Sequence, residues 1–153
     1  MEESRQFVVF ALDGQRCALP LGVVQRLVRM VEITDLPECP PSVLGIVNYQ
    51  GRILPVVDPR RRFGLAAREI EPDDWLIIAA TPERGLALVI GPDCELREIS
   101  RCDLIEGSVI LPGLALTAQV AATPDGLIII EDLRALLPPE ATAPAPDSEG
   151  LRP

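Results

Sequence analysis

Residues 48–58 read Asn48-Tyr49-Gln50-Gly51-Arg52-Ile53-Leu54-Pro55-Val56-Val57-Asp58. Apolar arms flank Gln50-Gly51, where a glycine supplies the positive φ of a tight turn. The pattern predicts a hairpin with Gln50 at its tip. Pro55 lacks a backbone donor, so its strand is expected at a sheet edge or beside a bulge. Asp58 precedes Pro59, and proline is favoured at the first helical position. Asp58 is therefore read as the N-cap of a short helix carrying Arg60, Arg61 and Arg62 and ending near Gly64. Most of that positive charge is expected on a solvated face. A catalytic aspartate would need a partner acid, base or metal ligand, and none stands nearby in the sequence.

The same grammar repeats outward. Apolar runs at 7–12 (FVVFAL) and 17–20 flank a turn at Asp13-Gly14. Runs at 43–49 and 53–57, 75–80 (WLIIAA) and 86–90 (LALVI), and 114–122 and 127–130 (LIII) pair in the same way, and 94–99 reads as another strand. Residues 23–33 carry helical spacing at Val24, Leu27, Val28 and Val31. Their β-branched density favours a turn near Leu21-Gly22 followed by a strand. Many short strands with turn signals between them indicate a mainly β barrel or sandwich. LALVI and LIII are apolar at successive positions, so both faces of those strands must be covered. Two barrels packed together would do this. Residues 131–137 read as a short amphipathic helix stopped by Pro138-Pro139, and 138–153 as a disordered Pro/Ala/acidic tail.

Composition narrows the function. The 153 residues hold 48% hydrophobic, 24% charged and only 3% aromatic residues. The net charge of −9 opposes nucleic-acid binding. With no histidine, the commonest metal ligand and general base are missing. Cys17, Cys39, Cys94 and Cys102 show no CxxC pair and no zinc spacing, and Cys17 and Cys94, set among apolar residues, read as small buried hydrophobes. No cofactor or metal site is expected. Glu2 and Glu3 stand where a signal peptide would be basic, and no apolar run reaches a membrane span of about 20 residues. A cytoplasmic location without membrane insertion is the expectation.

Residues 36–65 (LPECPPSVLGIVNYQGRILPVVDPRRRFGL) resemble the CheW-like adaptor domain family in Gly45, Ile46, Val47, Asn48, Gly51, Pro55, Asp58 and Gly64. The stretches FVVFALDGQRCALPLGVVQRLV, GLALVIGPDCELREI and LTAQVAATPDGLIIIEDLRALL resemble further family segments in the same order. The resemblance implies a domain over 7–137 made of two interleaved SH3-like, five-stranded β-barrel subdomains. They share an apolar core and carry short helices and a C-terminal helix. It implies no enzyme. It implies an adaptor coupling chemoreceptors to a histidine kinase (CheA-like). The receptor's cytoplasmic helical hairpin tip lies in the groove between subdomains, and the kinase regulatory domain docks barrel to barrel.

Partner contacts carried over by the resemblance are Val24, Arg26, Gly45, Asn48, Gln50 and Leu96. Val24 and Leu96 read equally well as core, Gly45 as a point of close backbone approach, and Asn48 as a brace for its turn. Three positions depart from the family. Gln50 stands where the family has Arg, Arg26 where it often has Glu, and Asp93 where it has an apolar residue. The family's Glu–Arg pair is therefore impossible, although an Arg26–Gln50 hydrogen bond could replace it. The family's glycine near Ala118 is also missing. A divergent subunit of a twitching, developmental or second-messenger pathway is the alternative. An enzyme built on Asp73-Asp74 or Glu131-Asp132 is the reading from another class. Adjacent acids on a strand point apart, and paired acids in loops are usually solvated.

Overall fold

The computed structural model describes residues 4–136 except 39, 42, 63–64, 66–68, 83, 111 and 113–118. Cys39, Gly64, Ala118, residues 114–118 of the expected strand and the 138–153 tail lie outside the described residues. Two sheets organise the rest. The terminal subdomain is a six-stranded sheet in the order β8-β1-β2-β11-β10-β9, and the central subdomain a five-stranded sheet in the order β3-β6-β7-β5-β4. The chain starts in the first sheet with β1 (Ser4–Leu12) and β2 (Gln15–Pro20). It crosses to the second for β3 (Val24–Arg29), β4 (Val43–Tyr49), β5 (Arg52–Val57), β6 (Trp75–Ala80) and β7 (Gly85–Ile90). It then returns for β8 (Cys94–Ser100), β9 (Leu104–Glu106), β10 (Gln119–Thr123) and β11 (Gly126–Ile130). Both are SH3-like β subdomains. The sixth strand of the terminal sheet is β9, three residues long and too short to announce itself by alternation.

The turn chemistry is as the dipeptides require. Asp13 and Gly14 have φ of 50° and 86°, and Gln50 and Gly51 have φ of 51° and 86°. Positive φ at both central residues gives a turn whose twist matches the flanking strands. Residues 21–23 form a 3-10 turn, and β3 follows it. β5 lies between β7 and β4, so Pro55 is not on an edge strand. It is tolerated for two reasons. Pro55 faces Ile46, whose own N–H and C=O bond to Thr34, so this pair exchanges no ladder hydrogen bonds. The bulge between Val43 and Gly45 is adjacent, as the second half of the expectation had it.

The unbroken apolar runs are explained by two-sided burial. On β6, Ile77 and Ala79 enter a core cluster shared by both sheets, while Leu76 and Ile78 fill the central subdomain's interior. On β7, Leu86, Leu88 and Ile90 take the shared side, and Ala87 and Val89 the interior. From the other sheet Val8, Phe10, Leu12, Cys17 and Leu19 meet them, while Phe7, Val9 and Ala18 turn into the terminal interior. The period of two thus sorts each strand into a barrel interior and a common seam. The run at 127–130 obeys this only in part: Ile128 and Ile130 are buried, but Leu127 is 61% exposed.

Two short elements depart from expectation. α1 (Pro59–Arg62) is capped as foreseen, with Asp58 Oδ1 accepting from Arg60 N at 3.0 Å. Yet Arg60 is not on a solvated face. It is buried, and its Nη2 donates to both Asp13 oxygens at 2.7 and 2.8 Å, joining α1 to the β1–β2 turn. The expected C-terminal helix is a 3-10 turn, Leu133–Ala135, capped by Asp132, whose Oδ1 accepts from Arg134 N at 3.0 Å. Among the described residues a further helix, α2 (Gly107–Ile110), follows β9. Asp58→Ala should cost about 1 kcal/mol in urea unfolding through loss of the cap, and Asp58→Asn a few tenths.

Candidate functional site

β3 is an edge strand with a bulge between Val24 and Arg26 that leaves Gln25 out of register. The β4–β5 hairpin lies near it, because Arg52 Nη1 donates to Gln25 Oε1 at 3.0 Å. One end of the central subdomain therefore gathers Gln25, Arg26, Asn48, Gln50 and Arg52, all exposed. Gln25 and Arg52 were missed by sequence reading. Their meeting depends on a bulge, and nothing in the local pattern of β3 announces one.

The six expected contact residues divide. Arg26 and Gln50 are exposed, but no hydrogen bond joins them among the described residues; the Arg52–Gln25 contact forms instead. Asn48 Oδ1 accepts from Gly51 N at 2.9 Å, so it braces the turn. Gly45 is buried, and a Cβ there would overlap the Thr34 carbonyl oxygen, which accepts from Ile46 N at 2.9 Å. Close backbone approach explains this glycine. Val24 is half-buried against the shared seam, in line with its core reading. Leu96 is not core: it is 59% exposed on β8, an edge strand of the other sheet. The structure thus brings Arg26, Asn48 and Gln50 to one end and leaves Leu96 on another subdomain.

A cleft of about 560 Å³ opens at the first crossover, between Gly22, Val23 and Thr81 on one side and Ile130, Glu131 and Arg134 on the other. None of the six expected residues lines it.

The acids considered for catalysis are separated. Asp74 is buried, with its Oδ2 accepting from Glu71 N at 2.8 Å, and Glu131 is buried, so neither is the solvated loop acid that was expected. Asp73 is exposed and Asp132 caps its turn. Among the described residues no group of three or more Cys, Asp or Glu is arranged to hold a metal ion.

Cys17 is fully buried, and burial first and the Glu131 carboxylate second push its thiol from 9.0 to about 12. Between pH of about 9 and about 12 the unfolded chain sheds a proton that the folded chain keeps, so stability falls as pH rises through that window. Cys17→Ala should flatten the difference in unfolding free energy between pH 8 and pH 10 relative to the parent. An unchanged slope would show that the thiol does not titrate as described.

Two SH3-like barrels joined along an apolar seam, with an exposed amide- and arginine-bearing end, define a paired-barrel β module. The chain belongs to the CheW-like domain family, whose profile matches residues 6–141. It is similar to the chemotaxis protein CheW of Helicobacter pylori, 27% identical over 103 residues, covering 67% of this chain and 62% of that one. It is similar also to CheW of Rhizobium meliloti, 26% identical over 100 residues, 65% of this chain and 64% of that one. The chain thus aligns with less than two thirds of the length of these relatives. Protein FrzA of Myxococcus xanthus is 26% identical over 101 residues, 66% of this chain and 63% of that one. The crystal structure of the scaffolding protein TtCheW from Thermoanaerobacter tengcongensis matches with a TM-score of 0.75 at 30% identity, covering 86% of each chain. Among the described residues no helix is long and apolar enough to cross a membrane.

Proposed function

We propose that this chain is a non-catalytic cytoplasmic adaptor that couples the cytoplasmic helical hairpin tip of chemoreceptors to a CheA-like histidine kinase. The observation that carries this reading is the likeness to a scaffolding protein over 86% of both chains. No bond is made or broken. The receptor hairpin is held by helix-in-groove recognition and the kinase regulatory domain by a small barrel-to-barrel interface. Interfaces of that size suit roughly micromolar affinity, about −8 kcal/mol. The site is assigned to Arg26, Asn48 and Gln50, with Val24 and Gly45 shaping the backbone beneath them and Leu96 a contact on the terminal subdomain. The immobilised chain should retain both the kinase regulatory domain and receptor cytoplasmic fragments in a pull-down. Retention of neither at tens of micromolar would end the proposal.

A second reading places the module in a chemosensory circuit other than chemotaxis. It is favoured by the likeness to Protein FrzA and by Gln50, Arg26 and Asp93 at positions where the family differs. On this reading Arg26→Glu with Gln50→Arg restores the family's charge pair and strengthens binding to ordinary chemoreceptor hairpins. Unchanged binding would count against it.

A further inference from the structure

The cleft of about 560 Å³ at the first crossover has one wall from each subdomain. Val23 and Leu133 line it and also belong to the shared core cluster, so its floor is one end of the seam. Thr81, after β6, lines it from the central side. Thr81 and Arg84 exchange backbone hydrogen bonds of 2.8 and 3.3 Å, which extends the β6–β7 ladder one pair beyond Ala80 and Gly85. Residues directly opposite in a ladder share a face. Arg84 therefore stands on the face of Thr81, which is also the face on which Leu86 and Leu88 enter the seam. Arg84 is half-buried, and its Nη1 is buried without a hydrogen-bond partner among the described residues. Arginine keeps its charge in proteins, so such a donor costs free energy until an acceptor reaches it. Arg5 and Arg134 line the cleft from the terminal side. Two acids stand against these three cations. Asp132 Oδ1 accepts from Arg134 N at 3.0 Å and lies 3.8 Å from Arg134 Nε. Glu131 is buried and close enough to Cys17 to act on its thiol, which sets that carboxylate behind the floor. Glu106, beyond Gln119 at the rim, accepts from the Gln119 amide at 2.7 Å, and Glu83 lies outside the described residues.

We propose that this cleft binds a small molecule through a doubly charged oxyanion group, a phosphate or a pair of carboxylates, with Arg84 as the buried anchor. A guanidinium pairs with oxyanions through parallel N–H bonds, and an anion beside Arg84 supplies the acceptor that Nη1 lacks. Arg134 and Arg5 hold the second negative charge at the mouth. The volume suits a small metabolite, since ligand pockets run from roughly 300 to 1,000 Å³. β1 and β2 run from this cleft, at Arg5 and Pro20, to their turn at Asp13, where Arg60 joins the subdomains. An anion held by Arg84 on one subdomain and Arg134 on the other thus clamps the opposite end of the seam. None of the residues assigned to partner contact lines the cleft, and nothing in this assignment depends on the adaptor reading.

The test is an amide NMR titration of the full chain with sodium phosphate and with sodium succinate, against sodium chloride at matched ionic strength. Phosphate or succinate should shift the signals of Gly22, Thr81, Arg84 and Arg134 saturably, at millimolar concentration or below, and chloride should not. A response to phosphate alone assigns a phosphate-bearing ligand, a response to succinate alone a dicarboxylate, and a response to both supports the site with either. Arg84→Met should weaken the binding about tenfold or more, and Arg84→Lys by less. Arg134→Gln, at a side chain 73% exposed, guards against misfolding of the Arg84 variants and should weaken binding severalfold. Without added dianion, Arg84→Met should unfold at the same or a higher denaturant concentration than the parent, because it removes a buried donor that lacks an acceptor. With the dianion, the parent should gain stability and Arg84→Met should not. No saturable shift with either dianion would overturn the proposal and leave the cleft to solvent. Shifts that persist unchanged in Arg84→Met would overturn it too. So would an Arg84→Met protein less stable than the parent in dianion-free buffer, which would show that Arg84 is satisfied within the chain.

Discussion

Phe10→Ala is expected to destabilise the fold by about 3–5 kcal/mol, the range for removing a fully buried aromatic side chain. Phe10 is 1% exposed and sits in the cluster where both subdomains meet, with Ile77, Leu88 and Ile90 contributed from the opposite sheet. A cavity there has walls on two sheets that are themselves held by packing on their far sides, so collapse around it is limited. Because the seam is shared, the two subdomains should still unfold in one transition, at lower denaturant and with an unchanged m-value. Val109→Ala, at a side chain 73% exposed, is the control and should stay within about 0.5 kcal/mol of the parent. A Phe10→Ala protein as stable as the control would mean that the seam is not close-packed.

Gly45→Ala should cost about 2–4 kcal/mol, more than most substitutions that add one methyl group. The added carbon would press on backbone, with the Ile33 Cγ2 methyl beside it at 3.0 Å. It meets the Thr34 carbonyl, and Thr34 and Ile46 exchange hydrogen bonds of 2.8 and 2.9 Å that tie the loop after β3 to β4. Relief requires breaking that bridge or moving a strand whose other side is paired with β5. Thermal unfolding of the variant beside Gly51→Ala separates the causes, since Gly51 has positive φ but open space around it. Gly51→Ala should lose about 1 kcal/mol from backbone strain alone. If both variants lose the same amount, the contact with Thr34 is not what position 45 requires glycine for.

The hairpins were legible because Asp13-Gly14 and Gln50-Gly51 encode their geometry within two residues. The paired-barrel body was legible for a less local reason. Runs such as LALVI have no polar face, and only a sheet covered on both sides accommodates them. What stayed hidden depends on long-range contact. Arg60 looked like one of three solvated arginines because its partner Asp13 lies 47 residues away. Asp74 and Glu131 looked like loop acids because burial of a loop depends on what packs over it. At the candidate site, Arg26 and Gln50 were marked by their departure from the family pattern, whereas Arg52 and Gln25 were not. Leu96 was ambiguous because an apolar side chain on a strand does not say whether its face is covered; here it is not.

Isothermal titration of the purified chain with the kinase regulatory domain, then of that complex with a receptor cytoplasmic hairpin, bears most directly on the adaptor claim. Coupling requires both partners at once, so the hairpin should bind the preformed complex with roughly the micromolar affinity it has for the chain alone. Displacement of the kinase domain by the hairpin, or no heat from either partner at tens of micromolar, would contradict it.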